Sequence, residues 1–171
     1  MLPTPEPDYE DPKEVYAFFG LAMYCANLVE ASLINLTVAL HLDQAEVKTR
    51  EEFDDTFIKM ESKTLGQLLK SARSKTSIPE RVEPLLTSTL EKRNHLAHNF
   101  FRENAEKILH PKGRRLIIDE LHSMIELFKE ADELITPIYL TLWERHGVTD
   151  EFIEAAVAQA HLDNIVKYGE L

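Results

Sequence analysis

At 171 residues and 19.7 kDa, with 44% apolar and 29% charged residues, the chain is the size and composition of one globular domain and not of a disordered segment. Its single cysteine, Cys25, excludes a disulfide framework and a cysteine-based zinc site, and only five glycines argue for helices over a turn-rich β fold. A net charge of −11 argues against nonspecific nucleic-acid binding by the chain as a whole.

That charge is unevenly spread. Lys92 to Arg115 holds seven bases against Glu103 and Glu106, a local +5 that leaves −16 on the rest. His95, His98 and His110 fall in the same stretch, and Lys59 to Lys75 forms a second basic run. Acids near the N-terminus stand where a secretion signal needs positive charge. The apolar run Val15 to Val29 stops at Glu30, short of the ~20 residues of a membrane span. These features predict a cytoplasmic protein without a membrane partner.

Along the chain, Pro3, Pro5, Pro7 and Pro12 predict an extended arm over 1–11. A helix follows from about Pro12 to Leu42, with apolar residues at 15, 18, 19, 22, 26, 29, 33, 36 and 40. Leu21, Met23 and Leu28 widen its apolar surface beyond one face, as in a bundle core or a subunit interface. Glu51 to about Ser74 reads as a polar helix broken near Lys63–Gly66. Pro84 opens a third major helix that is expected to run to about Phe101, and Asn104–Gly113 is expected to be a connection with one helical turn. A long helix then spans about Arg114 to His146, with Pro137 expected to kink or divide it. Gly147 ends that helix, and Thr149 caps an accessory C-terminal helix within 148–171. No strand alternation is present, so the fold class is all-α: one domain over 1–171, an up-and-down bundle with accessory helices.

The third major helix ends in Leu90-Glu91-Lys92-Arg93-Asn94-His95-Leu96-Ala97-His98-Asn99-Phe100-Phe101. On a wheel of ~100° per residue, Leu86, Leu90, Ala97 and Phe100 lie near Arg93, which therefore stands in an apolar face. Asn94 and His98 lie one turn apart on one side of it, while Glu91, His95 and Arg102 are expected further round, toward solvent. An arginine removed from water needs a partner. Between Val15 and Leu42 the only charged residue is Glu30, and the simplest reading is that the two meet, as a register-fixing ion pair or as part of a site. Arginine beside histidine suits a phosphodiester: guanidinium binds phosphate oxygens and imidazole moves protons. His95 and His98 could share a metal, but no Glu-x-x-His pair supports a two-metal site, so neither metal nor cofactor is expected. Cys25 and Trp143 read as core packing.

The segment Arg93-Asn94-His95-Leu96-Ala97-His98 resembles the Arg-x4-6-His motif of HEPN-domain proteins, including the polar residue after the arginine. The long first helix bearing Glu30 and the segment Thr64-Leu65-Gly66-Gln67-Leu68-Leu69 also look like that family, over roughly residues 12–145. The resemblance implies a HEPN-type bundle that dimerises and places two motifs together in a cleft. It implies a metal-independent endoribonuclease of the kind found in toxin–antitoxin and anti-phage systems, with RNA as substrate and an antitoxin or regulatory protein as further partner. Carried over, Arg93 and His98 are catalytic, Asn94 assists and Glu30 holds Arg93. Lys92, His95, Arg102 and Lys107 are assigned to RNA binding. One subgroup carries a modified tyrosine two residues after the histidine; Phe100 stands there in this sequence, a departure from that regulation. The alternative reading is a non-catalytic helical dimer that scaffolds a partner or binds nucleotide.

Overall fold

The computed structural model describes residues 3–169 and is all-helical over them. Met1, Leu2, Glu170 and Leu171, the outer ends of the expected arm and accessory helix, lie outside the described residues. In chain order the helices are α1 (Glu14–Asp43), α2 (Arg50–Glu61), α3 (Leu65–Lys75), α4 (Glu83–His98), α5 (Phe100–Ile108), α6 (Pro111–Arg145) and α7 (Asp150–Tyr168).

The starts of these helices are written locally. Thr49 with Glu52, and Thr64 with Gln67, form reciprocal capping boxes on α2 and α3. Pro84 and Pro111 occupy first-turn positions of α4 and α6, where a missing N–H costs nothing. Thr149 accepts from the Phe152 N–H to open α7.

The core lies chiefly between α1 and α6, the two longest helices. Val15, Phe18, Ala22, Cys25, Val29 and Leu33 recur on α1 at steps of three and four; Ile117, Leu121, Met124, Phe128, Ala131 and Ile135 do so on α6, and all are buried. At ~25 cal/mol per Å² of apolar surface, such facing stripes are the dominant favourable term of the fold. Leu65, Leu68, Leu69 and Ala72 bring the apolar face of α3 onto α1. By length and composition α1 alone among the described helices is able to cross a membrane, with a mean hydropathy of 1.5. The sequence count that stopped at Glu30 overlooked the apolar residues after it; here α1 is the helix around which α2, α3, α4 and α6 pack.

The expected boundaries change in three places. The third major helix stops at His98 and does not reach Phe101, because Asn99 leaves helical geometry (φ −124°, ψ −26°) and its side-chain oxygen accepts from Arg102. The expected connection after Asn104 is mostly α5, whose buried Asn104 donates to the Phe100 carbonyl and accepts from Lys107. Pro137 does not divide α6, which continues through it to Arg145. The arm is not free of the body: Thr4 bonds Glu126 and Lys129, and the Tyr9 hydroxyl donates to Asp119 at 2.7 Å, so it lies along α6.

Candidate functional site

The two charges that the sequence placed in apolar faces do meet. Arg93 Nη2 on α4 donates to Glu30 Oε2 on α1 at 3.2 Å. Their side chains are 21% and 23% exposed, so the pair is half-buried, with an edge open to solvent. Arg93 Nε is buried without a hydrogen-bond partner. One carboxylate oxygen thus engages one guanidinium nitrogen, which leaves donors of the five-donor fork uncommitted.

Of the residues that the wheel placed around Arg93, Leu86 and Phe100 are buried and Leu90 packs against the core; Ala97 alone departs from the expected face. Leu86, Thr89 and Leu96 are the buried residues of α4, Leu90 is half-buried and Ala97 is exposed. Phe100 belongs to α5. It packs beside Phe19 at 5.3 Å and Phe101 at 5.3 Å between ring centroids.

Asn94 and His98 are both exposed, one turn apart at the C-terminal end of α4. His95 corrects an expectation. It is not turned to solvent but lies edge-on to Phe100 at 6.0 Å, with Glu103 of α5 at 3.6 Å and Glu120 of α6 at 3.7 Å. Its side chain is 22% exposed, and its Nε2 is buried without a hydrogen bond. A histidine so placed ties α4, α5 and α6 together. Of the basic residues assigned to RNA, Lys92 is exposed on α4, while Arg102 donates to Asn99 and Lys107 to Asn104 within α5 and its cap.

The structure therefore joins Glu30 to Arg93, leaves Asn94, His98 and Lys92 on an open helix end, and folds His95 inward. Sequence reasoning missed Glu103 and Glu120, whose nearness to His95 depends on where α5 and α6 turn. It also missed an exposed strip on α1 formed by Tyr16, Gly20, Tyr24, Asn27 and Ala31. Tyr16 stacks on the exposed Phe101 at 5.9 Å, which joins this strip to α5. Small, aromatic and uncharged residues recurring at steps of three and four were a readable signal for it.

Cys25 is buried, and its burial pushes the thiol above its ordinary pKa, which disfavours the nucleophilic thiolate. Among the described residues, no three His, Cys, Asp or Glu side chains gather as a metal ion would need.

The chain matches no protein-family model, and no curated protein or solved structure is significantly similar to it.

Proposed function

We propose that this protein is a metal-independent endoribonuclease of HEPN type whose working unit is a cytoplasmic homodimer. The observation that carries the reading is the half-buried Arg93, held by Glu30 of α1 within one helical segment of the exposed Asn94 and His98. A buried ion pair adds little to stability, so an anchored arginine with uncommitted donors is better explained by what it binds. The Arg93-to-His98 spacing, which resembles the HEPN motif, supports the same conclusion.

In the proposed reaction the ribose 2′-oxygen attacks the adjacent phosphorus and the bond from phosphorus to the 5′-oxygen breaks. His98 moves the proton between these oxygens, and Arg93 stabilises the charge that gathers on the phosphoryl oxygens. The products are a 2′,3′-cyclic phosphate and a 5′-hydroxyl. Glu30 fixes the guanidinium plane, and Asn94 orients the phosphate or His98. The exposed strip around Tyr16 and Tyr24 on α1 is the surface on which the two copies of a working pair meet, since an uncharged surface with exposed aromatic rings marks an interface. The expected partners are RNA and an inhibitory or regulatory protein.

A second reading, a non-catalytic helical scaffold, is favoured by the net charge of −11. One assay separates the two. Purified protein should cleave single-stranded RNA in the presence of EDTA and leave DNA of the same sequence intact, because DNA lacks the attacking hydroxyl. Failure to cleave RNA, or cleavage only on addition of a divalent metal, favours the scaffold.

A further inference from the structure

The connection from α1 to α2, residues 44–49, is tied to two helices at once. His41 Nδ1, in the last turn of α1, lies 2.7 Å from Glu46 Oε2, and Lys75 Nζ at the end of α3 donates to the same oxygen at 2.7 Å. Gln44 adds two neutral bonds: it donates to the Lys75 carbonyl at 2.8 Å and accepts from Lys75 Nζ at 3.1 Å. The turn that aims Glu46 at these cations carries Ala45 at φ +56°, a left-handed conformation that a residue with a Cβ rarely adopts. Side-chain bonds thus hold a turn that the backbone by itself does not favour.

His41 is the proton-sensitive member of this tie. Its Nδ1 faces a carboxylate and carries the hydrogen, which leaves Nε2 a bare lone pair in the neutral ring. Nε2 is buried and has no hydrogen-bond partner. A second proton there is a buried, charged N–H without an acceptor. The charged groups around the ring are Glu46 of the connection, Lys75 of α3 and Lys63 between α2 and α3, while α2 lines a pocket beside Glu46 with Glu52, Asp55 and Lys59. Burial holds the imidazole below its ordinary value of 6.5; Lys75 and Lys63 act the same way and the Glu46 carboxylate opposes them. Lys75, with His41, holds the Glu46 carboxyl below the usual carboxylate range, so Glu46 stays charged while His41 titrates. The folded ring takes up its proton less readily than a free one. The closed arrangement is therefore complete above the ordinary histidine value and is lost as pH falls through it toward the depressed one.

We propose that this cluster is an acid-released latch: a proton on His41 breaks its tie to Glu46 and lets the connection and α2 lift from the ends of α1 and α6. Hydrating the new N–H requires the ring to leave its buried position, and the strained turn at Ala45 then loses one of the bonds that hold it. The bonds of Gln44 and Glu46 to Lys75 do not titrate in this range and serve as the hinge. Helix α2 is the element that such a latch frees, because little else fixes it. Met60 is its one buried residue, and Phe53 and Phe57 are half-buried. Phe53 lies edge-on to Trp143 of α6 at 5.6 Å. Lifting α2 uncovers Met60, Phe53 and the Trp143 ring, an apolar surface presented only in acid. The latch is independent of the ribonuclease reading, since none of its residues belongs to the Arg93 site.

Trp143 is the only tryptophan of the chain, so its fluorescence reads the contact with Phe53. The full-length protein is titrated from about pH 8 to about pH 5, the range in which histidine changes charge. Trp143 emission should change with a midpoint below 6.5 while far-ultraviolet circular dichroism keeps the helical signal. His41→Asn retains a donor near the Nδ1 position and takes up no proton, so its emission should stay constant across the range. His146 also stands near Trp143, with its Nε2 3.8 Å from Asp43. A transition that survives His41→Asn with the same midpoint therefore belongs to another histidine and overturns the latch. An unchanged emission in the native chain, or helix lost together with emission, overturns it as well. Hydrogen exchange gives the second reading. In acid the amides of α2 should lose protection relative to those of α1 and α6 in the native chain, and protection lost equally from all three helices overturns the proposal.

Discussion

Glu30 and Arg93 show how much a single contact explains. Removing the carboxylate leaves a half-buried guanidinium short of an acceptor while its Nε already lacks one. Glu30→Ala should therefore lower stability by about 1–3 kcal/mol, the usual penalty for an unsatisfied buried donor, and less than a fully buried pair would cost. Glu30→Gln keeps the shape and an acceptor oxygen and should lose less. Urea titration of the three proteins checks the order, and an unchanged midpoint for Glu30→Ala removes the argument that Arg93 needs holding. The two histidines should separate by kind of effect. His98 is exposed, so His98→Ala should leave thermal stability intact while RNA cleavage falls by roughly 10²–10⁴-fold. His95 bridges three helices, so His95→Ala should lower the melting temperature and affect cleavage much less. Equal cleavage by the two variants removes the proton-transfer role of His98.

The end of α4 is placed by how α4, α5 and α6 join. Asn99 interrupts the helix, α5 runs only to Ile108, and α6 begins at Pro111. The second corner is tight enough to need a glycine. A Cβ at Gly113 would overlap the backbone of Lys107, including its carbonyl oxygen, so the start of α6 lies against the end of α5. Gly to Ala inside a helix normally gains up to about 1 kcal/mol. Gly113→Ala should instead destabilise, because rigid backbone and not a flexible side chain must give way. A melting temperature at or above that of the native chain would show that the corner opens freely. The shift of α6 should also move Glu120 from His95, which makes cleavage by this variant a further readout of how α6 supports the helix end.

At the scale of the molecule, the acidic surface and the local basic segment pull in different directions. The segment from Lys92 to Arg115 carries +5, but Arg102 and Lys107 are hydrogen-bonded to neighbouring amides and Arg115 lies over the Tyr9 ring at 4.7 Å. Arg93 is half-buried and paired with Glu30, so one copy presents only a small cationic surface at the exposed Lys92, and a pair of copies carries two such patches. The Tyr16–Tyr24 strip is the surface proposed to make the pair. Tyr24→Glu should halve the mass seen by sedimentation at micromolar concentration, from a pair to single chains. It should also abolish RNA cleavage, with the helical circular dichroism unchanged. An unaltered mass with full cleavage would separate the site from that interface.

The sequence by itself determined the all-helical class, most of the helices and the charged pair. Threonine caps at 49, 64 and 149, prolines in first turns and apolar steps of three and four are local signals, and they wrote five of the seven helix starts and both core stripes. The meeting of Glu30 and Arg93 was readable for a related reason. Glu30 is the lone charge of its apolar helix and Arg93 lies on the apolar side of α4, and desolvation leaves each few ways to be accommodated but by the other. What covers His95 was not readable, because it depends on where Asn99 stops the helix and on how α5 and α6 return. A wheel carried past a break assigns Phe100 to the wrong helix and His95 to solvent. The docking of the arm on α6 and the corner at Gly113 were likewise decided only by tertiary packing. They are contacts between residues of different elements, and no local preference encodes them.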